Sequence, residues 1–222
     1  MDTLAQLLGY EFRDPSLRDL ALTHRSLARD RGDVNNQRLE FLGDAVLGLV
    51  IAEMLYRLYP NEDEGDLSKR LVSLVNGEQL ATIAISMQLG PHLLLSDGEA
   101  EQGGRANPSN LEDACEALLG AVYLDGGIEP VRGLVDRFWR PQAEAMKAPP
   151  KDPKTTLQEW AQARSMPLPE YTVISNHGPS HAPHFVIDVV VKGHPSARGE
   201  ARTKRMAERL AATAMIAQLG IS

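Results

Sequence analysis

Residues 36–52 read NQRLEFLGDAVLGLVIA, and the fold turns on what two acids are doing there. From Leu39 to Ala52, Glu40 and Asp44 are the only charged residues, set among apolar neighbours. The pair Asn35-Asn36 offers a polar cap and Pro60 a stop, which predicts one helix running to about Tyr59. Four residues apart on a helix, both carboxylates project from one face. Like charges held in apolar surroundings are strongly unfavourable unless a counter-charge meets them, and a divalent metal ion is the simplest one. Gly43 and Gly48 lie inside the same helix, where each costs about 1 kcal/mol relative to alanine. Close approach of another helix or of a partner subunit would compensate. Phe41, beside the acids, is either ordinary core or a knob at a subunit interface.

The chain has 222 residues, enough for one large domain or a main domain with a smaller one. A single cysteine, Cys115, excludes an intramolecular disulfide, fits a reducing cytosol and reads as a small core residue. No run of about 18 apolar residues is present, so no membrane span is expected. The start, MDTLAQLLGYEF, lacks the basic and apolar regions of a signal peptide, and a cytoplasmic location follows as the expectation. Net charge is −7, but it is unevenly spread. Residues 1–150 carry 14 basic against 24 acidic side chains, whereas residues 151–222 carry 9 against 6 and four of the six histidines. Such asymmetry suggests an acidic catalytic part and a basic binding part.

Short helical patterns begin the chain, with Leu4, Leu7 and Leu8 apolar, Pro15 opening a second turn, and DLALTHRSLARD continuing at helical spacing. His24, within that last stretch, reads as structural rather than as a ligand. In NEDEGDLSKRLVSL an acidic loop leads into a helix, and Glu64 and Asp66 are first-turn acids favoured by its dipole. A helix over 78–89 ends at Gly90-Pro91, and residues 96–108 form a flexible polar loop. Ser109 or Asn110 then caps the helix NLEDACEALLGAVYL, which closes at Asp125-Gly126-Gly127. Asp113 and Glu116 are three apart on one face, and from Ala114 to Leu124 Glu116 is the only charge. A further helix over 131–146 completes an all-helical domain, residues 1–147.

Pro149, Pro150 and Pro153 mark a linker, 148–153. From 154 to 222 the pattern is a helix (TTLQEWAQAR), strands PEYTVISN and HFVIDVVVKG, a third weak strand or turn in SARGEARTK, and a closing helix. That order, α-β-β-β-α, predicts a small α+β domain, with Trp160 and Phe185 in its core.

Two acid pairs on largely apolar helices suggest four carboxylates meeting at one point. Hard oxygen donors select Mg²⁺ or Mn²⁺ over zinc, and the chain offers no Cys/His cluster. Such a centre suits metal-assisted phosphodiester hydrolysis.

NQRLEFLGDAVL resembles the signature of the bacterial ribonuclease III family of double-stranded-RNA endonucleases. LTHRS, EGDLS, LEDACEALLGAVYLDGG and PKTTLQEW match it in order, so the resemblance covers essentially the whole chain. It implies a helical endonuclease domain working as a homodimer, with one catalytic centre from each subunit. It further implies Mg²⁺, with Mn²⁺ as a substitute, on Glu40, Asp113 and Glu116. Asp44 and Glu116 would be catalytic, and Glu64 would help position substrate. The implied reaction leaves a 5′-phosphate and a 3′-hydroxyl in the processing of ribosomal precursors and of some messenger and transfer RNA transcripts. Gln37 departs from the family, which commonly has Glu there, and is read as accessory.

The second domain resembles the double-stranded-RNA-binding fold. Duplex RNA is recognised through its shallow minor groove, its 2′-hydroxyls and its phosphates. The resemblance places Gln158 and His181 at successive minor grooves, and Lys204 and Arg205 at phosphates beside a helix N-terminus. Two rivals stand beside this reading. One is a double-stranded-RNA-binding protein whose degenerate nuclease domain serves only dimerisation, against which all four acids are present. The other is a helical phosphohydrolase of nucleotides, which would want a His-Asp cluster in the first domain.

Overall fold

The computed structural model describes residues 3–28, 34–177 and 183–221. They fall into two compact units, Met1–Pro150 and Lys151–Ser222. The first contains the helices α1 (Thr3–Leu8), α2 (Pro15–Ala21), α3 (Arg25–Ala28), α4 (Gln37–Leu58), α5 (Glu64–Val75) and α6 (Gly77–Ser86). It continues with α7 (Asp97–Glu101), α8 (Pro108–Gly126), α9 (Ile128–Phe138) and α10 (Arg140–Ala145).

The opening stretch forms α4. Asn36 occupies the cap position, but the capping bond comes from Asn35, whose Oδ1 accepts the Gln37 N–H at 3.0 Å. The partner helix α8 starts earlier than expected: Asn107 accepts the Ser109 N–H and Pro108 opens the first turn, where its missing N–H is no loss. Gly127, at φ +82°, ends it. Leu47, Ile51 and Leu55 of α4 and Leu118, Leu119 and Val122 of α8 are essentially fully buried in the main core, with Cys115 beside them.

The two helices meet backbone to backbone. A Cβ on Gly43 would fall 1.8 Å from the Glu116 carbonyl oxygen, and one on Gly120 2.3 Å from that of Leu39. The close approach expected for the glycines of α4 therefore holds at Gly43. Among the described residues Gly48 has nothing within 4 Å of the same position.

Three further expectations need correction. Residues 96–108 are not a flexible loop: Ser96 caps α7, a 3₁₀ turn covers Gly104–Ala106, and the Arg105 guanidinium donates to the carbonyls of Gly90, Pro91 and Leu93. The helix expected over 131–146 is two helices, because Pro141 opens α10 and Trp139 is buried at the junction, its Nε1–H donating to the Leu74 carbonyl. Finally, α6 stops at Ser86, and Gln88 takes φ +55°.

The second unit runs α11 (Pro153–Gln162), β1 (Glu170–His177), β2 (His184–Val190), β3 (Ala197–Ala201) and α12 (Lys204–Leu219). The sheet is antiparallel in the order β1-β2-β3. The weak third strand is a true strand, pairing over five residues with β2. Ala207 and Ala211 on α12 let it lie on β3, where a Cβ at Gly199 would come 2.2 Å from the Ala207 carbonyl oxygen. Leu157, Val189, Val191 and Met215 form the core, with Trp160 packed at its edge; Phe185 is only half-buried.

The glycines of α4 give opposite expectations. Gly43→Ala forces α4 from α8 and should lower stability by about 3 kcal/mol, the scale of overpacking a tight core. Gly48→Ala should raise stability by about 0.5–1 kcal/mol through helix propensity. Urea denaturation of both variants checks this, and a loss at Gly48 would instead place a partner's backbone there.

Candidate metal centre

Because α4 and α8 touch at Gly43 and Gly120, the acids that flank those glycines are brought to one place. Glu40 and Asp44 come from α4, and Glu112, Asp113 and Glu116 from α8. Asp44 is exposed and the other four are half-buried.

Their electrostatics are those of a crowded anionic site. Burial, then the charges of Asp44, Glu112, Glu40 and Asp113, push the Glu116 carboxyl up to about 8. Glu40 is raised by burial and by Asp113, Glu112 and Asp44, with Arg25 opposing. Glu112 is raised by burial and by Asp113. Asp113 is raised by burial, while Arg25 and His24 work the other way.

The four sequence-predicted acids thus belong to one electrostatically coupled set, and a fifth, Glu112, joins it. Glu112 is not among the acids that the sequence spacing singles out, because it precedes Asp113 by one residue, about 100° round the helix. A crossing as close as this one admits a wider arc of α8. The available signal was the acidic doublet itself, Glu112-Asp113, one turn before Glu116.

No three His, Cys, Asp or Glu side chains among the described residues stand close enough to enclose a metal as placed. The chemistry of the set still fits one. Its donors are carboxylate oxygens without a thiolate, which suit a hard divalent ion. Arg25 eases the charge of Glu40 and Asp113 alone, so the set lacks the counter-charge that would draw it together.

Other expected positions lie elsewhere. Glu64 begins α5, is exposed, and accepts the Ser68 hydroxyl at 3.0 Å. It is not among the charges acting on Glu40, Glu112, Asp113 or Glu116. Gln37 lines a recess with Leu17, Leu20, Phe41 and Leu124. In the second unit Gln158, Lys204 and Arg205 are exposed. Lys204 and Arg205 open α12, where the Thr203 hydroxyl accepts the Met206 N–H. His181 lies outside the described residues.

Two family models match the chain: Ribonuclease-III-like over residues 14–142 and the double-stranded RNA binding motif over residues 153–219. The chain belongs to the ribonuclease III family. Similar relatives include Ribonuclease 3 of Ehrlichia ruminantium, 44% identical over 98% of this chain and 96% of the relative. Ribonuclease 3 of Azorhizobium caulinodans is 47% identical over 96% of this chain and 92% of its own length. Among solved structures, the nuclease domain of ribonuclease III from Campylobacter jejuni superposes with TM-score 0.59 at 43% identity, covering 64% of this chain and 97% of that one. The helical first unit is therefore a ribonuclease III nuclease domain, and the three-stranded second unit carries the RNA-binding motif. Among the described residues no helix is long and apolar enough to cross a membrane.

For this ribonuclease III fold, removing one carboxylate should relieve repulsion when no cation is present. In chelator, Glu40→Gln or Glu116→Gln should melt above the unsubstituted protein, by about 2–4 °C for each 1 kcal/mol relieved. Added Mg²⁺ should stabilise the unsubstituted protein and leave Glu116→Gln nearly unmoved. Scanning calorimetry with and without Mg²⁺ reads both effects.

Proposed function

We propose that the chain is a divalent-metal-dependent endoribonuclease of double-stranded RNA that acts as a homodimer in the cytoplasm. It cuts each strand at one acid centre, leaving a 5′-phosphate and a 3′-hydroxyl, and processes ribosomal precursors and other structured transcripts. One observation carries the reading: five acids crowd at the α4–α8 crossing, in a chain whose second unit matches a double-stranded RNA binding motif.

Glu40, Asp113 and Glu116 would hold Mg²⁺, with Mn²⁺ as a substitute. Bound there, the ion supplies counter-charge and polarises a phosphoryl oxygen. Asp44, exposed beside the half-buried acids, accepts a hydrogen bond from the attacking water and orients it. Gln158, His181, Lys204 and Arg205 grip the duplex, and Glu64 positions substrate. Because the first unit is strongly acidic, both the cation and the gripping domain are needed for a polyanion to approach.

Homodimerisation is supported by the outer face of α4. Phe41, Leu49 and Tyr56 are 81%, 64% and 74% exposed and lie within about 80° of one another at 100° per residue. Beside Phe41 opens a recess lined by Leu17, Leu20, Leu42 and Leu124, which has room for the Phe41 ring of a second copy. A second Campylobacter jejuni nuclease-domain structure, 43% identical with TM-score 0.59, is described for flexibility in a region involved in dimer formation.

Two experiments test the proposal. Glu116→Gln should abolish Mg²⁺-dependent cleavage of a long RNA duplex while binding in Ca²⁺ is kept; equal loss of both would sink the division of labour. Retained cleavage would refute the metal role, and binding without cutting by the unsubstituted protein would favour the degenerate-nuclease rival. Phe41→Asp should convert dimer to monomer in sedimentation, with cleavage falling at least tenfold; an unchanged dimer would refute the Phe41 interface.

A further inference from the structure

Glu208 is the only carboxylate of α12, and it stands one helical turn after Lys204, on the same face. Its side chain is mostly buried, at 16% exposed. A carboxylate in this place works against a phosphate site at the helix start in two ways. It repels the phosphate, and it competes with the phosphate for the Lys204 ammonium. The structure shows the second contact half-made, with Lys204 Nζ 4.0 Å from Glu208 Oε1. A lysine four residues before a glutamate is also the weaker order for a helical pair.

A second lysine has taken the carboxylate instead. Lys154 Nζ, from the first turn of α11, donates to Glu208 Oε2 at 2.6 Å. That lysine arrives from a fixed start. Asp152 Oδ1 caps α11, accepting the Lys154 N–H at 3.0 Å and the Thr155 N–H at 3.2 Å. The Lys154 ammonium lies 4.8 Å from the centre of the Tyr171 ring on β1, a distance at which the ring face attracts it. The Arg209 guanidinium, next along α12, stands 3.9 Å from Asp152. Of the two lysines beside Glu208, Lys154 is 37% exposed and Lys204 61% exposed. Lys204 is therefore the one that reaches solvent.

We propose that Lys154 is a positioning residue for duplex binding: it neutralises Glu208 and so leaves the Lys204 ammonium free for a phosphate of the RNA. The inference rests on the reading of Lys204 as a phosphate contact. Without Lys154, Lys204 is the next cation beside Glu208, and their pair closes.

The test measures the affinity of the full chain for a long RNA duplex in Ca²⁺ over a range of salt concentrations. Lys154→Met keeps the length of the side chain and removes its charge. It should weaken binding about fivefold or more and lower the slope of log affinity against log salt by about 1, as for one lost phosphate contact. Lys154→Arg keeps the charge and should bind like the unsubstituted protein. Glu208→Gln should bind at least as tightly. Lys154→Met combined with Glu208→Gln should return to within about twofold of the unsubstituted protein, because no carboxylate is left to hold Lys204. In a Lys204→Met background, Lys154→Met should weaken binding no further.

A combined variant as weak as Lys154→Met alone overturns the proposal, since Lys154 would then touch the RNA itself or act only on the fold. A loss that persists in full without Lys204 overturns it too, as does a folded Lys154→Met with unchanged affinity. Should circular dichroism show that Lys154→Met does not fold, Glu208→Gln decides, and weakened binding there overturns the proposal. If Lys204→Met leaves both affinity and salt slope unchanged, the phosphate reading of Lys204 is itself refuted. If Lys204→Met weakens binding and Lys154→Met does not, that reading stands and the role of Lys154 falls.

Discussion

The contact on which the first unit depends is between backbones. At the crossing of α4 and α8 the Cα of Gly43 faces the Glu116 carbonyl, and the Cα of Gly120 faces that of Leu39. Neither place has room for a methyl group. The approach sets the distance between the acids, because Glu40 and Asp44 flank Gly43 and Glu116 lies one turn before Gly120. Beyond the crossing the same helices bury Leu47, Ile51, Leu118 and Val122, so apolar packing holds together what the acids push apart. Burial and charge crowding at Glu116 are thus strain at a candidate functional site, offset by the core behind it.

This arrangement was partly legible in the sequence. The spacing of Glu40 and Asp44, and of Asp113 and Glu116, follows from helix periodicity, and the apolar runs around them marked those helices as central. Gly43 could be suspected of a close approach, but nothing local separates it from Gly48, which meets nothing among the described residues. Which helix comes close is tertiary information, and so is the inclusion of Glu112. Residues 96–108 misled for a related reason. Their glycines and polar residues fit a loop in isolation, yet Arg105 and Asn110 bind backbone carbonyls and Glu99 from outside the local pattern. Trp139 and Pro141 split a helix whose apolar periodicity alone reads as continuous.

Net charge in the second unit overstates its free positive charge. Lys154 lies 2.6 Å from Glu208, Arg198 binds Asp188 at 2.7 Å, and Arg209 stands 3.9 Å from Asp152. Lys204, at 4.0 Å from Glu208, is shared only loosely, and Arg205 has no carboxylate partner among the described residues. The proposed phosphate contacts fall on the two residues that open α12, where the helix dipole adds to their charge. Surface ion pairs contribute little to stability, so the pairing of Lys154, Arg198 and Arg209 does more to shape the potential than to hold the domain. An exposed pair of cations at one helix end is the arrangement proposed to meet a phosphate by position.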